Sequence, residues 1–543
     1  MEESLKFDDL SSIPIVDVLI IGAGPCGLAT AARLREKYPS ALFTDEEQSR
    51  YTWIARNAQQ TSIKDRRTGR VRRMSCVPSR PNDPSILVLD STGDQWMERW
   101  NKLFERLEIE YLRSPMFFHT HPQDRDALLS FCHREGSSSD WIQEIAGCVG
   151  KELSKHEKKK RRRSHHQRRT KLCPSDINER DRQDYFAPAS LAFKRFCEEC
   201  IEHYRLKDLV RKESVESIDY DFIPGTSTIK KLFIVRASAR TYLSRIVVLA
   251  VGGGDAVSPV PFHESTHVLD LGNANALIPD VLKRKVELGH ETNVLVVGGG
   301  LTSAQAADCL LRKGIAKVYL LMRGPWKTKP FDIDLEWMGR YRNGKRAAFW
   351  TEDDLDERLA MAKQARNGGS ITPRFAKKLK KYEQEGRLKV YTHTQIVSRQ
   401  YDERKMVWKA ITEPRQELPY FDHIIFATGL SIDVRTMDIL RTVNEKYPIP
   451  SHGGHPALTD DLRWNAEMPL FVNGKLAMLQ LGPSAGNLEG ARLGAERIAW
   501  GIFNELNETD GSVEQAGVAQ QNYVLGIGSR YDSLIEIDTT VEI

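Results

Sequence analysis

The chain has 543 residues, of which 40% are hydrophobic and 28% are charged, with 37 Gly and 24 Pro. This composition is that of a globular protein and excludes a collagen-like, coiled-coil or wholly disordered chain. At roughly 100–200 residues per domain, the length predicts two to four domains. The formal net charge is +5, but residues 155–171 alone hold ten Lys or Arg and one Glu. The other 526 residues therefore carry a net charge of −4, and the basic balance is no evidence that the folded part binds nucleic acid.

Eight cysteines are spread along the chain and form no dense framework. This usage predicts an intracellular, reducing compartment and a cytoplasmic location. The residues before the first apolar run are acidic, whereas a secretory signal is basic there. Because no stretch reaches the ~20 apolar residues of a membrane span, we expect none.

The first pattern that carries chemistry is a β-α-β unit near the N-terminus. Ile15–Ile21 is a short apolar run rich in β-branched residues, which is typical of a buried parallel strand. A helical pattern follows over Leu28–Glu36, and Ala41–Thr44 is predicted as the next strand, which ends at Asp45.

The loop of this unit reads Gly22-Ala23-Gly24-Pro25-Cys26-Gly27, and an acid follows 18 positions after its last glycine. A G-x-G-x-x-G in this context is the dinucleotide-binding fingerprint. Gly22 allows the tight turn, Gly24 lets the backbone approach a pyrophosphate, and Gly27 lets the helix pack on the strand. The helix N-terminus would bind the phosphates, and Asp45 or its neighbour Glu46 would bind a ribose. A purely structural turn is the alternative, and we expect Cys26 to pack rather than react.

A second β-α-β unit is predicted from strands at Asn293–Val297 and Lys317–Met322 and a helix over Ala304–Arg312. Its loop reads Gly298-Gly299-Gly300-Leu301-Thr302-Ser303, in which the last residue is small enough to keep the helix close to the strand. Arg323 follows the second strand, where NAD would favour a carboxylate, so it suits the 2′-phosphate of NADP. Lys327 and Lys329 could extend this anion site, and a solvated loop charge is the alternative for Arg323.

Two dinucleotide loops in one chain restrict the chemistry. We expect FAD in the first site and NADPH in the second, with hydride passing from NADPH to the flavin. The predicted fold is α/β with two Rossmann-like domains. An FAD-binding domain at 1–280 returns at 415–543, and an NADPH-binding domain is inserted at 281–414. The apolar runs Ile246–Val251 and Ile424–Ala427 are predicted as strands that return between the domains.

The order of the two loops and of Asp422-His423-Ile424-Ile425-Phe426-Ala427-Thr428-Gly429 resembles the class B flavin monooxygenases, especially the lysine/ornithine N-hydroxylases. Four stretches are more similar still to the oxidative-stress-induced growth inhibitor family and its fungal relatives: Trp96–Trp100, Tyr111–Met116, Phe331–Arg340 and Leu481–Gly490. The resemblance covers most of residues 15–503, apart from the basic insert.

This resemblance implies an FAD-dependent, NADPH-consuming enzyme that activates O₂ as a flavin hydroperoxide and transfers one oxygen to a small-molecule substrate. It places Leu481–Gly490 against the isoalloxazine, and Thr428, Gly429 and Asn487 near the flavin. Phe262–His267 matches the F-x-G-x-x-x-H of flavin and Baeyer–Villiger monooxygenases only in part, since it lacks the Gly and is one residue short. We therefore expect His267 to be an ordinary loop or core residue, and no catalytic acid or base is assigned.

Two other functions stay open, an NADPH-dependent flavin oxidase or disulfide reductase and a flavoprotein regulator of growth or stress response with little catalysis. Cys197-Glu198-Glu199-Cys200 has the C-x-x-C spacing of a dithiol oxidoreductase. Apolar residues recur around it at helical spacing, however, which favours packing of both thiols in the core.

The segment 151–184 is almost free of apolar residues and contains six consecutive Lys or Arg at Lys158–Arg163, which predicts a disordered insert. Its run at 155–171 could contact an import receptor or another anionic partner and direct the chain to the nucleus, or it could have no function. It lacks interleaved aromatic residues, so specific nucleic-acid recognition is not expected.

The stretch Phe331–Arg342 mixes three carboxylates with aromatic side chains. Such a mixture is equally typical of a binding site for a cationic substrate and of a solvated amphipathic helix.

Overall fold

The computed structural model describes residues 7–36, 83–135, 138–145, 183–225, 230–252, 265–270, 277–338, 342–429 and 432–507, with short pieces at 49–50, 53, 57, 62–64 and 71–73. The predicted strand Ala41–Thr44, the basic segment 151–182 and the tail after 507 lie outside the described residues. Within these ranges, no helix is both long and apolar enough to cross a membrane.

Strands and helices alternate along most of the described chain. The strands are β1 (Ile15–Ile21), β2 (Ser62–Lys64), β3 (Val71–Arg73), β4 (Ile86–Asp90), β5 (Ile142–Gln143), β6 (Ala187–Pro188), β7 (Val210–Lys212), β8 (Val215–Asp221), β9 (Leu232–Ala237), β10 (Thr241–Leu249), β11 (Ser265–His267), β12 (Asn293–Val297), β13 (Lys317–Leu321), β14 (Leu388–Tyr391), β15 (Gln395–Asp402), β16 (Val407–Glu413), β17 (His423–Phe426), β18 (Ser451–His452), β19 (His455–Pro456) and β20 (Leu470–Val472). The helices are α1 (Pro25–Arg35), α2 (Glu98–Arg106), α3 (Ala127–Arg134), α4 (Ser138–Trp141), α5 (Ser190–His203), α6 (Asp280–Glu287), α7 (Leu301–Arg312), α8 (Arg342–Trp350), α9 (Leu355–Arg366), α10 (Pro373–Gln384), α11 (Arg441–Lys446), α12 (Met478–Leu481) and α13 (Leu488–Asn507).

The first sheet carries the first glycine loop. Its strands are ordered β7-β4-β1-β10-β9-β8, and β20 pairs with β10 beyond the part of that strand that β9 occupies. β1 is parallel to both β4 and β10, so that Ile20 lies between Val88 and Val248. All three side chains are fully buried. The apolar run of β1 is therefore explained by its central position, where neighbours cover both faces.

The second sheet is entirely parallel, in the order β11-β17-β12-β13-β14. Val296 of β12 lies between Ile425 and Leu320, and all three are fully buried. The predicted α/β fold with two dinucleotide-binding units is confirmed in these two sheets.

The pairing of strands differs from the sequence prediction at the limits of the inserted unit. β11 and β17 both belong to the second sheet, whereas the sequence assigned residues before 281 and after 414 to the first domain. β10 and β17 were expected to return between domains. Each instead lies directly beside the strand that precedes the glycine loop of its own sheet. The composition of a buried strand does not state which sheet it joins, because both sheets offer the same apolar surroundings.

Both helices that follow the glycine loops begin earlier than the apolar periodicity indicated. α1 begins at Pro25 rather than Leu28, and α7 begins at Leu301 rather than Ala304, with Gly24 and Gly300 as their N-caps. Pro25 is accepted at the first helical position because its missing N–H would have no partner there. The glycine loops are thus the N-termini of two helices.

The last helix packs across the first one. α1 and α13 meet through Ala29, Ala491 and Ala495, whose small side chains let the two helices approach closely. Beside this contact the buried Arg33 guanidinium donates to both carboxylate oxygens of Glu496, with N···O distances of 2.5 and 2.9 Å. The pair fixes the C-terminal helix on the first β-α-β unit.

One contact between the two units runs along the segment Arg106–Arg113, which we call the seam. Its apolar residues Leu107 and Ile109 pack into the core of the second unit. The polar contacts of the seam, in chain order, are Arg106 with the carbonyls of Val268 and Asp270, Glu108 with Arg312 and Lys313, Glu110 with Arg374, and Arg113 with the carbonyls of Lys329, Phe331 and Ser370. Apolar and charged contacts alternate along the seam, and they fix one unit against the other.

Removing the acid of the buried pair should destabilise the protein. Glu496→Gln leaves the Arg33 guanidinium buried without its counter-charge, so we expect a loss of about 3–5 kcal/mol in the free energy of unfolding. Lys381→Gln is the control, because it breaks a solvent-exposed pair with Glu385 and should cost less than about 1 kcal/mol. Urea titration followed by tryptophan fluorescence measures both, and equal losses would contradict the assignment.

Candidate functional site

The first glycine loop is shaped by close backbone contacts. Gly22 has φ +108°, and a Cβ there would lie 2.6 Å from the carbonyl oxygen of Ala250. A Cβ at Gly27 would lie 2.0 Å from the carbonyl oxygen of Gly22. Around Gly24 no described atom lies within 4 Å of the Cβ position. Two glycines are thus needed by the fold, and the third leaves open space above the N-terminus of α1, which suits the phosphates of a ligand.

An acid that the sequence analysis did not single out lies next to this loop. Asp90 ends β4, the strand beside β1. Its carboxylate accepts hydrogen bonds from the backbone N–H of Ala23 and of Thr92, both at 2.8 Å. Asp90 therefore occupies the position after the neighbouring strand for which Asp45 was predicted, while Asp45 and Glu46 lie outside the described residues. The apolar run that ends at Asp90 was the available signal, and the long interval after the first helix concealed it.

The second glycine loop repeats the arrangement of the first. Gly298 has φ +155°, and a Cβ there would lie 2.5 Å from the carbonyl oxygen of Ala427. Ser303, at the position of the third glycine, is fully buried and donates its hydroxyl to the carbonyl of Gly300 at 2.7 Å. A serine is accepted here because its polar atom is satisfied within the first turn of α7.

The basic residues after β13 divide into two groups. Arg323 is exposed and Lys327 half-buried, and both line the cavity in front of the second loop. The Lys327 amine also donates to the side chain and carbonyl of Asn367. Lys329 is not among the lining residues. Its amine is paired with Asp334 at 2.8 Å. Arg323 and Lys327 thus both face the cavity, where an anion could be bound, whereas Lys329 has a structural partner.

The N-terminus of α13 forms the far wall. Asn487 caps it by accepting hydrogen bonds from the backbone N–H of Glu489 and Gly490 at 3.1 and 3.2 Å. Its amide donates toward Asp332 at 3.4 Å. The cap leaves the positive end of a 20-residue helix facing the cavity.

One cavity of about 1310 Å³ joins these parts. Ligand pockets commonly measure about 300–1,000 Å³, so the space exceeds that needed for one ligand. The predicted residues that line it are Gly298, Gly300, Arg323, Thr428, Gly429 and Asn487, and the first loop contributes Pro25 and Cys26. Gly22, Gly24, Gly27 and Ser303 are not among the lining residues. Gly22, Gly27 and Ser303 shape the loops, and Gly24 lies next to the lining residue Pro25.

The charged residues that line the cavity are mostly basic. Among the described residues they are Arg113, Arg323, Lys327, Arg366, Arg399 and Lys475, against the single acid Asp332. Burial and the nearby Arg366 guanidinium lower the pKa of Lys475. Such a lining favours polyanionic ligands, as dinucleotides are.

The carboxylates of the stretch Phe331–Arg342 each have a cationic partner. Asp332 pairs with Arg366 at 3.0 Å and Asp334 with Lys329 at 2.8 Å. Glu336 pairs with Lys345 at 3.1 Å. Only the single turn Leu335–Trp337 is helical before the undescribed residues 339–341. The arrangement favours neither a long amphipathic helix nor an open cation site.

The cysteines do not form a redox centre in the described residues. Cys197 and Cys200 lie on α5, each 2% exposed, and neither lines the cavity. Burial raises the pKa of the Cys197 thiol to about 12, and it also raises the pKa of Cys200. Cys26 does line the cavity, yet burial raises the pKa of its thiol to about 12. Thiolates are the reactive form, so the predicted packing role fits all three.

His267 lies at the end of β11 and is fully buried, with its Nδ1 accepting a hydrogen bond from the backbone N–H of Leu269 at 3.2 Å. Burial lowers its pKa. The expected role as a core histidine agrees with this position, although the residue also contributes to the cavity wall.

The fold is similar to that of several solved flavoprotein structures. An ornithine N-hydroxylase of Kutzneria sp. 744, solved with reduced FAD, NADP⁺ and L-ornithine, has a TM-score of 0.59 at 15% identity over 91% of this chain and 100% of that one. The ornithine hydroxylase PvdA of Pseudomonas aeruginosa gives 0.56 at 13% identity over 91% and 100%. The FAD-bound cadaverine monooxygenase DfoA of Erwinia amylovora gives 0.54 at 14% over 90% and 95%.

No family model and no curated protein sequence matches the chain. At these identities the likeness concerns the fold, and it confirms the two-domain architecture that the motifs predicted. These similar structures include ornithine N-hydroxylases, which is the branch of the class B flavin monooxygenases that the sequence motifs resemble. Kinship with the oxidative-stress-induced growth inhibitor family stays a prediction from sequence.

Two substitutions in the first loop should separate folding from ligand binding. Gly27→Ala places a Cβ 2.0 Å from the Gly22 carbonyl oxygen, so we expect a fall in melting temperature or loss of soluble protein. Gly24→Val meets no described atom within 4 Å, so the melting temperature of the ligand-free protein should stay unchanged. The bound dinucleotide that copurifies should be lost, which absorbance of the purified protein measures. Stoichiometric dinucleotide in Gly24→Val would show that the first loop is not the binding site.

Proposed function

We propose that the chain is an FAD-dependent, NADPH-consuming monooxygenase that acts on a small molecule. The observation that carries this proposal is the single cavity onto which two glycine-loop helices and the N-terminus of α13 open. The ligands of the similar structures, FAD in one and reduced FAD with NADP⁺ in another, support the same pair of cofactors here.

The residues at the first loop fit FAD. Gly24 leaves space at the N-terminus of α1 for the pyrophosphate, and Asp90 lies where a ribose would bind. The cavity then runs past Cys26 to Lys475 and to Asn487 at the N-terminus of α13, where the isoalloxazine would lie near Thr428 and Gly429. When bound, FAD would accept a hydride from NADPH and pass electrons to O₂. The overall reaction is NADPH, H⁺, O₂ and substrate to NADP⁺, water and oxygenated substrate.

The residues at the second loop fit NADPH. Gly298 and Gly300 would hold its pyrophosphate at the N-terminus of α7. Arg323 and Lys327 would bind the 2′-phosphate, because both line the cavity at the end of β13. Two of the other charged lining residues, Asp332 and Arg366, lie at the N-terminus of α13, where the two cofactors would meet.

The amine substrates of the similar proteins are not part of the proposal. Cadaverine and ornithine are cations, whereas the three carboxylates that could attract a cation are each paired with Arg366, Lys329 or Lys345. Binding an ammonium there would require one of these pairs to break, which leaves a cation without its partner.

A disulfide reductase has less support. Cys197 and Cys200 lie outside the cavity, and Cys26, which is half-buried, has no second cysteine among the lining residues. Thiol–disulfide exchange proceeds through a thiolate, and burial raises the pKa of the Cys26 thiol to about 12. The regulator hypothesis has no supporting contact in the described residues.

The basic segment 155–171 lies outside the described residues. Its contact with an import receptor or another anionic partner, and location in the cytoplasm or the nucleus, stay predictions from sequence.

Stopped-flow spectroscopy of the FAD-loaded protein tests the function. We expect NADPH to reduce the flavin without O₂, and O₂ then to restore the oxidised spectrum in two kinetic phases, with H₂O₂ released late. A single phase with immediate, stoichiometric H₂O₂ would favour an oxidase. The double variant Cys197→Ala/Cys200→Ala should keep both rates within about twofold, because neither thiol lines the cavity. Loss of all flavin turnover in this variant would favour the reductase.

Arg323 should set the preference for NADPH over NADH. Arg323→Ala removes a charge-assisted contact with the 2′-phosphate, which is typically worth about 1.5–3 kcal/mol, so we expect KM for NADPH to rise about tenfold or more. The kcat/KM for NADH should stay unchanged, since NADH lacks that phosphate. Lys317→Ala, at the opposite end of the same strand, is the control. An equal loss with both cofactors would contradict a 2′-phosphate site.

A further inference from the structure

A short stretch of the second unit lies between the two halves of the cavity. Residues Arg366–Ile371, which we call the coupling segment, begin at the last residue of α9. At one end, Arg366 donates to the carbonyl of Pro483 at 2.8 Å and pairs with Asp332 at 3.0 Å. Pro483 belongs to the turn that leads into α13. This end of the segment therefore contacts the part of the cavity where the flavin ring would lie.

The middle of the coupling segment packs on the second glycine loop. A Cβ at Gly369 would lie 3.1 Å from the carbonyl carbon and oxygen of Gly299 and from Cα of Gly300. The two backbones are thus in direct contact, with no side chain between them. If the coupling segment shifts, its backbone moves toward or away from the loop that would hold NADPH.

The far end of the segment is tied to the strand-like stretch after β13. Ile371 is fully buried and pairs with Thr328 in an isolated bridge. Its N–H donates to the Lys327 carbonyl at 2.9 Å, and its carbonyl accepts from the N–H of Lys329 at 3.0 Å. The coupling segment and the anion site after β13 therefore move as one piece.

One side chain of the first unit holds this piece in place. The Arg113 guanidinium, at the end of the seam, donates to the hydroxyl of Ser370 at 2.6 Å and to its carbonyl at 3.2 Å. It also donates to the carbonyls of Phe331 at 2.7 Å and Lys329 at 3.3 Å. Ser370 is 1% exposed, and both Arg113 and Ser370 line the cavity. Four acceptors on three residues, which lie on two stretches of the chain around 329–331 and 370, thus converge on one guanidinium.

We propose that Arg113 is a positioning residue that sets the distance between the two cofactors, by holding the coupling segment against the second glycine loop. The inference rests on the proposed function, because it assumes hydride transfer between cofactors bound at the two loops. Reacting atoms must approach to about 3–3.5 Å, and a misplacement of 1 Å can cost about 10²-fold in rate. Arg113 itself does not need to touch either cofactor for this role.

The geometry calls for an arginine rather than any cation. A guanidinium presents donors in a fixed planar fork, so it can reach the carbonyls of Phe331 and Ser370 together, whereas a lysine amine is a single point donor. Arg113→Lys should therefore restore part of what Arg113→Met loses. A role limited to charge would give full restoration.

The test measures flavin reduction in the FAD-loaded protein without O₂. In Arg113→Met we expect the rate constant at saturating NADPH to fall at least tenfold, and the rate in Arg113→Lys to lie between the two. The dissociation constant for NADP⁺, read from tryptophan fluorescence, should change less than threefold. The long-wavelength absorbance of reduced flavin beside NADP⁺ should weaken, because it depends on ring overlap. A merely stabilising role would lower the melting temperature and leave the rate and this absorbance unchanged.

Arg374→Met is the matched control. It removes the ion pair with Glu110 on the same seam, but Arg374 does not line the cavity. We expect its reduction rate to stay within twofold. A fall as large as that of Arg113→Met would show that the seam acts as a whole and would overturn the specific role of Arg113.

Ser370→Ala keeps the test decisive if Arg113→Met fails to fold. It removes only the hydroxyl acceptor of Arg113, and we expect a fall of threefold or more in the reduction rate. An unchanged rate in this variant, with a wild-type protein that NADPH does reduce, overturns the inference alone. A wild-type protein that binds FAD but is not reduced by NADPH overturns the proposed function, and the inference falls with it.

Discussion

The seam along Arg106–Arg113 is the constraint on which the rest of the structure depends. Each sheet alone offers one glycine loop at the carboxyl ends of its strands, and neither encloses a cavity. Leu107 and Ile109 enter the core of the second unit, while charged residues between them bind its helices and loops. Apolar burial and ion pairing alternate along this short segment, and α8 and α9 also pack into the core of the first unit. Both glycine loops therefore border the same space.

Backbone contacts shape the glycine loops at this cavity, and charged side chains set its preference for ligands. Backbone contacts at Gly22, Gly27 and Gly298 exclude any side chain, so the loops hold their shape without a ligand. The basic lining favours polyanions and comes from both units. The acids nearby are already paired, and Asp332 with Arg366 serves to join the coupling segment to the turn before α13. The cavity is therefore lined for polyanionic ligands more clearly than for a cationic one.

The sequence predicted the parts of the site that depend on local patterns. Both glycine loops, the strands before them and the serine that replaces the last glycine appear where they were expected. Asp90 was missed because the strand that adjoins β1 comes after a long interval, and adjacency in a sheet is not encoded in spacing. Arg113 lies in the stretch Tyr111–Met116 that carried the resemblance, but the sequence did not indicate its contacts with the coupling segment, since they join residues more than 200 positions apart.

The sequence by itself determined the strand before each glycine loop, the helix after it and the identity of both loops, because a tight turn, a close backbone approach and a helix N-terminus are local requirements that glycine spacing records. It also determined that the thiols at Cys197 and Cys200 pack on a helix face, since helical periodicity is local too. Only the tertiary structure decided which sheet β10 and β17 join, which carboxylates form ion pairs, and which arginine of the first unit binds the second. These depend on burial and on partners distant in sequence, where the free energy of a contact is set by its surroundings rather than by its neighbours in the chain.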